Sequence, residues 1–251
     1  MSKILSGMLL AGLLVTVSQA DVLRVEMGAG VWNQEPDGYL QYKNSSSFTE
    51  SDAGYSDEDQ LYVWANLKHP IPILPNVRLE YTPMEFSGTS TADFSYGGED
   101  FTPGAVSTLT MDQYDAILYY NILDNTGWTT IDLGLDVKYI DTSFKASQAG
   151  LSVNESEDLV LPMAYGRLRF EIPATGIGLE GDIKYTGYKS STVYDYRVKA
   201  DYSIDLSAID LGVEAGYRFQ RIKIDQEDFS SLDTTGDIDI SGFYAGVMVR
   251  F

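Results

Sequence analysis

Apolar and polar residues alternate along most of this chain with a period of two. Over residues 22–32, Leu23, Val25, Met27, Ala29 and Val31 alternate with Arg24, Glu26, Gly28, Gly30 and Trp32. A period of two places successive side chains on opposite faces of a strand, one apolar and one mixed. The same pattern returns in residues 60–68, 77–86, 111–122, 128–140, 159–172, 177–188, 192–204 and 211–224. It is clearest in 192–204, where Tyr194, Tyr196, Val198, Ala200, Tyr202 and Ile204 oppose Asp195, Arg197, Lys199, Asp201 and Ser203. The last stretch, 237–251, sets Phe243, Ala245, Val247, Val249 and Phe251 against Tyr244, Gly246, Met248 and Arg250, and the sequence stops on that final aromatic. Ten strands are predicted.

The segments between them alternate in length. Residues 33–59, 87–110, 141–158 and 225–236 read as longer polar connections, and Lys189-Ser190-Ser191 as a short one on the same side. Within the first, Gly38-Tyr39-Leu40-Gln41-Tyr42 is placed to extend its hairpin. Within the second, 94–101 reads as a small hairpin turned by Gly97-Gly98. The connections after strands two, four, six and eight are tight, and the first of these, 69–76, carries Pro70, Pro72 and Pro75. Prolines cannot donate to a ladder, so that turn is stiff. Beyond residue 20 no run of ~20 apolar residues exists, so no helix crosses a bilayer. Strands cross only as a closed barrel, since lipid satisfies no backbone group. The expected fold is therefore all-β: a single antiparallel transmembrane barrel of about ten strands, with eight or twelve as alternatives. Short periplasmic turns, longer external loops and an even strand number fit such a barrel with both termini periplasmic.

The apolar face carries two aromatic rows. Tyr81, Tyr114, Tyr139, Tyr185, Tyr194, Tyr217, Phe219 and Phe243 fall at one level, and Tyr120, Phe170, Tyr202 and Phe251 at the other. Phe243 and Phe251 are separated by ~26 Å along an extended strand, or ~20 Å in height once the strand is tilted. A soluble lipocalin-like barrel is the competing reading, with the apolar face turned inward. The two rows and the terminal Phe favour the membrane version.

Residues 1–20 read as a cleaved secretory signal: Lys3, an apolar run from Ile4 to Val17, and the small-x-small site Ser18-Gln19-Ala20. The barrel domain is then 21–251. There is no cysteine, which excludes a disulfide framework and thiolate metal sites. The net charge of −20 argues against nucleic acid as a partner.

The charges divide by location. Predicted inward faces carry acids at Glu26, Glu80, Asp115, Asp132, Asp136, Glu171, Glu180, Asp182, Asp195, Asp201 and Glu214. They carry bases at Arg24, Lys68, Arg78, Lys138, Arg167, Arg169, Lys184, Arg197, Lys199 and Arg218. The lumen is close to neutral, so the excess acid lies in the external loops, in residues such as Asp57, Glu58, Asp59, Glu155, Glu157, Asp158, Asp225, Glu227 and Asp228. A small barrel is about wide enough for side chains to fill, and opposite charges buried together must pair. The expectation is a lumen filled by ion pairs, in a protein of structural or surface-interaction role. The alternative is a narrow channel or transporter for small solutes. The acidic loops are a solvated rim, or sites where divalent cations bridge to lipopolysaccharide, since carboxylates suit hard cations. The Asp233–Asp239 run lacks full calcium-loop spacing. His69 is the one histidine, and neither a Gly-x-Ser-x-Gly elbow nor a His-Glu-x-x-His pattern occurs. No enzymatic activity, cofactor or metal centre is expected.

Tyr244, Gly246, Val249 and Phe251 together resemble the C-terminal assembly signal of Gram-negative outer-membrane barrels. More narrowly, His69-Pro70-Ile71-Pro72-Ile73-Leu74-Pro75-Asn76, Tyr96-Gly97-Gly98 and the glycine-rich last strand are similar to an uncharacterised family of outer-membrane proteins with a Gly-Gly motif. A more distant resemblance is to OmpW-type small barrels, which have eight strands. These resemblances imply an outer-membrane location and, as partners, membrane lipid and lipopolysaccharide, the barrel assembly machinery and periplasmic chaperones. The Gly-Gly family implies no particular activity, and the OmpW-type resemblance implies passage of small hydrophobic molecules as a further alternative role.

Overall fold

A computed structural model describes residues 23–251 except 72, 208 and 230. The expected signal segment lies outside the described residues. The chain forms one closed antiparallel barrel of ten staves. Its strands are β1 (Arg24–Tyr42), β3 (Glu58–Lys68), β4 (Asn76–Thr82) continued by β5 (Glu85–Thr89), β8 (Val106–Thr126), β9 (Thr129–Gln148), β10 (Leu151–Ile172), β11 (Ile177–Tyr188), β12 (Ser191–Asp205), β13 (Asp210–Ile224) and β14 (Thr234–Arg250). Each stave pairs with its sequence neighbour, and β14 returns to β1 to close the wall. Two small additions sit in the long connections: β2 (Phe48–Thr49) with a one-turn helix α1 (Glu50–Ala53), and a hairpin of β6 (Phe94–Tyr96) and β7 (Glu99–Phe101) turned at Gly97-Gly98.

The ten-strand expectation holds, but several strands are longer than the alternation indicated. Residues 141–158 are not a loop. They continue β9 and β10 upward to a tight turn at Ala149-Gly150, both at positive φ. Likewise β1 runs on to Tyr42, and β8 begins at Val106. The cause is a reversal of polarity along the same strands. In the band, Leu211, Val213, Ala215, Tyr217 and Phe219 of β13 face out; beyond it, Ile222 and Ile224 face in while Arg221 and Lys223 face out. On β14, Phe243, Ala245 and Val247 face out, whereas Ile238 and Ile240 face in with Asp237 and Asp239 outside. The pleat is unbroken; only the solvent around it changes from lipid to water. The reversal therefore marks the outer edge of the membrane.

Stave three departs from its expected 77–86 span. Pro83 and Met84 interrupt it, and β5 pairs with β8 but not with β3. The ladder between β3 and this stave covers Val63–Leu67 against Val77–Tyr81 and then ends. Above that point, Gln60 Nε2 donates to Glu85 O (3.4 Å) and Gln34 Nε2 to Pro83 O (3.0 Å). Side-chain amides thus span a seam where backbone pairing is absent.

Candidate functional site

Inside the barrel there are two storeys. The lower one, within the membrane band, is the ion-paired floor. Alternate residues of β4 and of β8 to β13 point inward because their intervening neighbours face lipid, so charged side chains from opposite walls meet on the axis. Lys184 Nζ lies 2.7 Å from Glu80 Oε2, 3.2 Å from Asp115 Oδ2 and 3.8 Å from Asp195 Oδ2. Lys138 Nζ lies 2.7 Å from Asp115 Oδ1 and donates to Gln113 Oε1 at 2.9 Å. Arg197 joins Asp182 (2.8 Å) to Glu80 (2.7 Å), and Arg78 closes on the same Glu80. Arg218 forms a two-bond fork with Asp195, and Arg169 does so with Asp201. Such forks match guanidinium to carboxylate geometry.

Toward the periplasmic end, Glu180 is shared by Arg167, Arg169 and Lys199, and Lys199 also reaches Glu214 at 2.8 Å. Arg167 also holds Asp132, which takes a short hydrogen bond from Asn121. At the mouth, Glu26 lies between Arg24 and Arg250, and Arg169 reaches Glu171. Lys68 pairs with Asp124. Salt bridges thus gather nearly every expected lumen residue into three clusters, around Lys184, Glu180 and Glu26, with Lys68–Asp124 as a separate pair. Asp136 is the exception: it is buried in the floor but makes no salt bridge among the described residues.

Inward aromatic faces complete the floor, and charge alternation alone gave no sign of their role. Arg78 and Lys199 sit over the Trp64 ring at 4.7 and 5.2 Å, and Arg218 over Trp32 at 4.6 Å. Cations on ring faces gain attraction that grows as water is excluded. Tyr62 and Trp64 both donate to Glu214 Oε1. At the periplasmic end the network leaves a space of about 50 Å³, room for a few waters.

A layer of amides separates the storeys. Gln113 and Gln220 are fully buried and exchange hydrogen bonds of 2.9 and 2.7 Å. Above them the interior becomes apolar. Met84, Phe86, Leu109, Met111, Ile140, Ile222 and Ile240 line the wall, and the β2 segment and the β6–β7 hairpin fill the centre. Phe94 stacks on Phe101 at 4.9 Å, Tyr96 meets Phe144 at 4.1 Å, and Phe48 packs on Phe94 at 4.9 Å. These rings come from stretches whose composition reads as polar loop. The available signal was an apolar residue at every second position, in the opposite phase to the membrane band.

The rims and the C-terminus are equally ordered. Tyr81, Tyr114 and Tyr139 form a run of touching rings at the outer edge, and Tyr194, Tyr196 and Phe219 form another. Directly above the first run, Asp112, Asp141 and Asp158 stand opposite one another across β8, β9 and β10 on the outer face. Among the expected assembly-signal residues, Tyr244 points inward and meets Tyr62 edge-on. Gly246 lies against the backbone of β1, Val249 pairs with Met27 on the lipid side, and Phe251 is exposed. The Phe251 N–H donates to Val25 O at 2.9 Å, so the last residue closes the barrel at the periplasmic end.

His69 is a turn fastener. Its Nε2 donates to Pro75 O (3.0 Å) and its Nδ1 accepts from the Ile71 N–H (3.2 Å), a pairing that requires the neutral Nε2-protonated ring. It lies in the periplasmic turn, far along the barrel from the external carboxylates.

A ten-stave closed wall, an apolar exterior bounded by aromatic rows and a polar-filled lumen define a transmembrane β-barrel of the outer-membrane type. No family model matches the chain, and no curated protein matches it. Among solved structures, it is similar to the outer membrane protease OmpT of Escherichia coli, with TM-score 0.57 at 10% identity over 94% of this chain and 98% of that one. It also aligns with the translocator domain of the autotransporter NalP from Neisseria meningitidis, at 13% identity and TM-score 0.43 over 93% of this chain and 90% of that one. The attachment invasion locus protein Ail of Yersinia pestis aligns at 7% identity and TM-score 0.37, over 92% of this chain and 99% of that one. At these identities the likeness concerns the fold alone, and OmpT carries it. The resemblance to Gram-negative outer-membrane barrels is borne out in architecture.

Proposed function

We propose that this protein is a closed, non-conducting outer-membrane barrel that acts through its external surface or as a structural element of the membrane. The observation that carries this reading is the filling of both storeys: Lys138, Lys184 and Gln220 are fully buried on the barrel axis, with packed aromatics above them. Opening a path would require separating buried ions, each costly to leave unpaired. The use of both His69 ring nitrogens within its own turn supports a non-enzymatic role. Swelling of liposomes containing the purified barrel tests the reading. Swelling in small sugars no faster than in protein-free liposomes is expected, and rapid swelling would overturn it.

The surface role has a chemical candidate. Like charges directly across a strand pair repel, and Asp112, Asp141 and Asp158 form such a row just above the tyrosine run. Among the described residues no three acid or His side chains converge to hold a metal unaided. A divalent cation there would share its ligands with lipopolysaccharide phosphates. Calorimetric titration of calcium into the barrel, with and without lipopolysaccharide, separates the cases. Heat only in the presence of lipopolysaccharide supports the bridge, and none in either removes it.

One observation favours a second reading, passage of small hydrophobic molecules. The unpaired seam between β3 and β5 opens at the outer membrane edge, beside the apolar upper storey. A disulfide joining Gln60→Cys to Glu85→Cys would abolish uptake of an apolar fluorophore if the seam is the route, and would leave it unchanged if not.

A further inference from the structure

The periplasmic turn between β3 and β4, residues 69–75, is longer than those between β8 and β9 (127–128), β10 and β11 (173–176) and β12 and β13 (206–209). Asp124 and Asp205 stand at the strand ends beside two of the shorter turns, and the β10–β11 turn is itself uncharged. Residues 69–75 carry no acid, Lys or Arg, and expose Ile71, Ile73 and Leu74, with Ile73 83% exposed. A turn facing water normally does the reverse, showing polar groups outward.

Several of its backbone groups are hydrogen-bonded locally. The His69 N–H donates to Asn76 Oδ1 at 3.0 Å, the Ile71 N–H to His69 Nδ1 and the Leu74 N–H to Ile71 O at 3.2 Å. Pro75 O accepts from His69 Nε2, and Ile73 O accepts from the Tyr120 hydroxyl at 2.9 Å. Pro70, Pro72 and Pro75 have no N–H to satisfy. Backbone groups paired internally beneath apolar side chains are what a lipid environment demands.

The Tyr120 bond fixes the direction. Tyr120 belongs to the lipid-facing side of β8 at the periplasmic aromatic row, with Leu118 and Ile122 exposed on the same face. Its hydroxyl holds Ile73 on that side of the wall, so the apolar side chains of the turn continue the band that already contacts lipid. The geometry points to a membrane anchor: the turn seats Ile71, Ile73 and Leu74 among the phospholipids of the periplasmic leaflet, with His69 as the internal fastener that keeps the polar backbone closed. The inference concerns an edge of the barrel and does not depend on whether the lumen conducts.

The absence of native cysteine allows site-specific labelling. The full barrel carrying Ile73→Cys is labelled with a nitroxide and reconstituted in phosphatidylethanolamine–phosphatidylglycerol vesicles. Collision with oxygen, which favours lipid, is compared with collision with a water-soluble nickel chelate. Leu118→Cys supplies the lipid reference and Ser190→Cys the water reference, and Ile71→Cys serves if the first variant fails to fold. The expected oxygen-to-nickel ratio is severalfold above that of the Ser190→Cys label. Adding His69→Ala should move it toward the water value while heat-modifiable folding persists. A ratio equal to the water reference, or protection from both reagents, would overturn the anchor. A ratio unmoved by His69→Ala would overturn the role of the histidine as fastener.

Discussion

Replacing Lys184 by methionine probes the ion-paired floor at a point where one cation meets three acids. The side chain is fully buried, and its ammonium lies within 3.8 Å of three carboxylates, on Glu80, Asp115 and Asp195. Methionine is similar in length and volume, so packing loss is small and the change is mainly one of charge. Glu80 keeps Arg78 and Arg197, and Asp195 keeps Arg218, but Asp115 retains Lys138 alone. Removing one partner of a buried ionic cluster costs ~3–5 kcal/mol, because the remaining charge stays desolvated. Lys189, more than half exposed and 3.7 Å from Asp228, is the control. Its replacement by methionine should cost no more than ~1 kcal/mol. Urea unfolding in detergent micelles, followed by tryptophan fluorescence, measures both. Adding Asp115→Asn to Lys184→Met should recover part of the loss, since it removes the buried carboxylate left with the fewest cations. A loss below ~1 kcal/mol for Lys184→Met would mean that water screens these carboxylates, and the reasoning for a sealed floor would fail.

Other perturbations address separate parts of the account. Deleting Phe251 removes the backbone pair with Val25 and the last lipid-facing ring; heat-modifiable folded barrel in cell membranes should fall sharply, and normal levels would count against the assembly-signal reading. Gly242 sits at φ 152° in the β14–β1 closure, where a Cβ would collide with Asn33 O. Gly242→Ala should therefore destabilise the closed barrel by ~1–3 kcal/mol in the same urea assay, and a neutral effect would show that the closure relaxes freely. In the external loop, burial pushes the Asp228 carboxyl up, but hydrogen bonds from the Ser191 hydroxyl and the Ser190 and Ser191 amides, with Lys189 nearby, outweigh it and hold the carboxyl below its usual value. Its contribution is full above the unfolded carboxylate pKa of ~3.9 and is lost as pH falls through the lower folded value. Amide exchange at Ser190 and Ser191 should stay slow at pH 5 and quicken only below that window, whereas Asp228→Asn should give fast exchange throughout; equal behaviour of both proteins would refute the clamp.

Much of this architecture was legible in the alternation itself. The alternation over residues 177–188 coincides with β11, because both flanks carry turn residues and the face toward lipid is unbroken. The pairing of Arg197 with Asp182 and of Arg218 with Asp195 follows from inward phase on neighbouring strands, although which partners meet depends on register. The upper storey was hidden for a physical reason. At Phe144 and Ile222 the inward face is apolar and the outward face polar, so the phase that identifies a membrane strand runs the opposite way and residues 141–158 read as loop. The β2 segment and the β6–β7 hairpin bring Phe48 and Phe94 to Phe144 from distant parts of the sequence, contacts that no local pattern encodes. The break at Pro83 was equally silent, since a proline at a strand edge leaves the flanking alternation intact.

The proposed function rests on two filled storeys that seal the lumen. Single-channel recording of the purified protein in planar bilayers tests it most directly. The account predicts insertion without steady current across moderate voltages, and only brief, irregular events in Lys184→Met. Stable, repeatable unitary currents from the unmodified protein would contradict it.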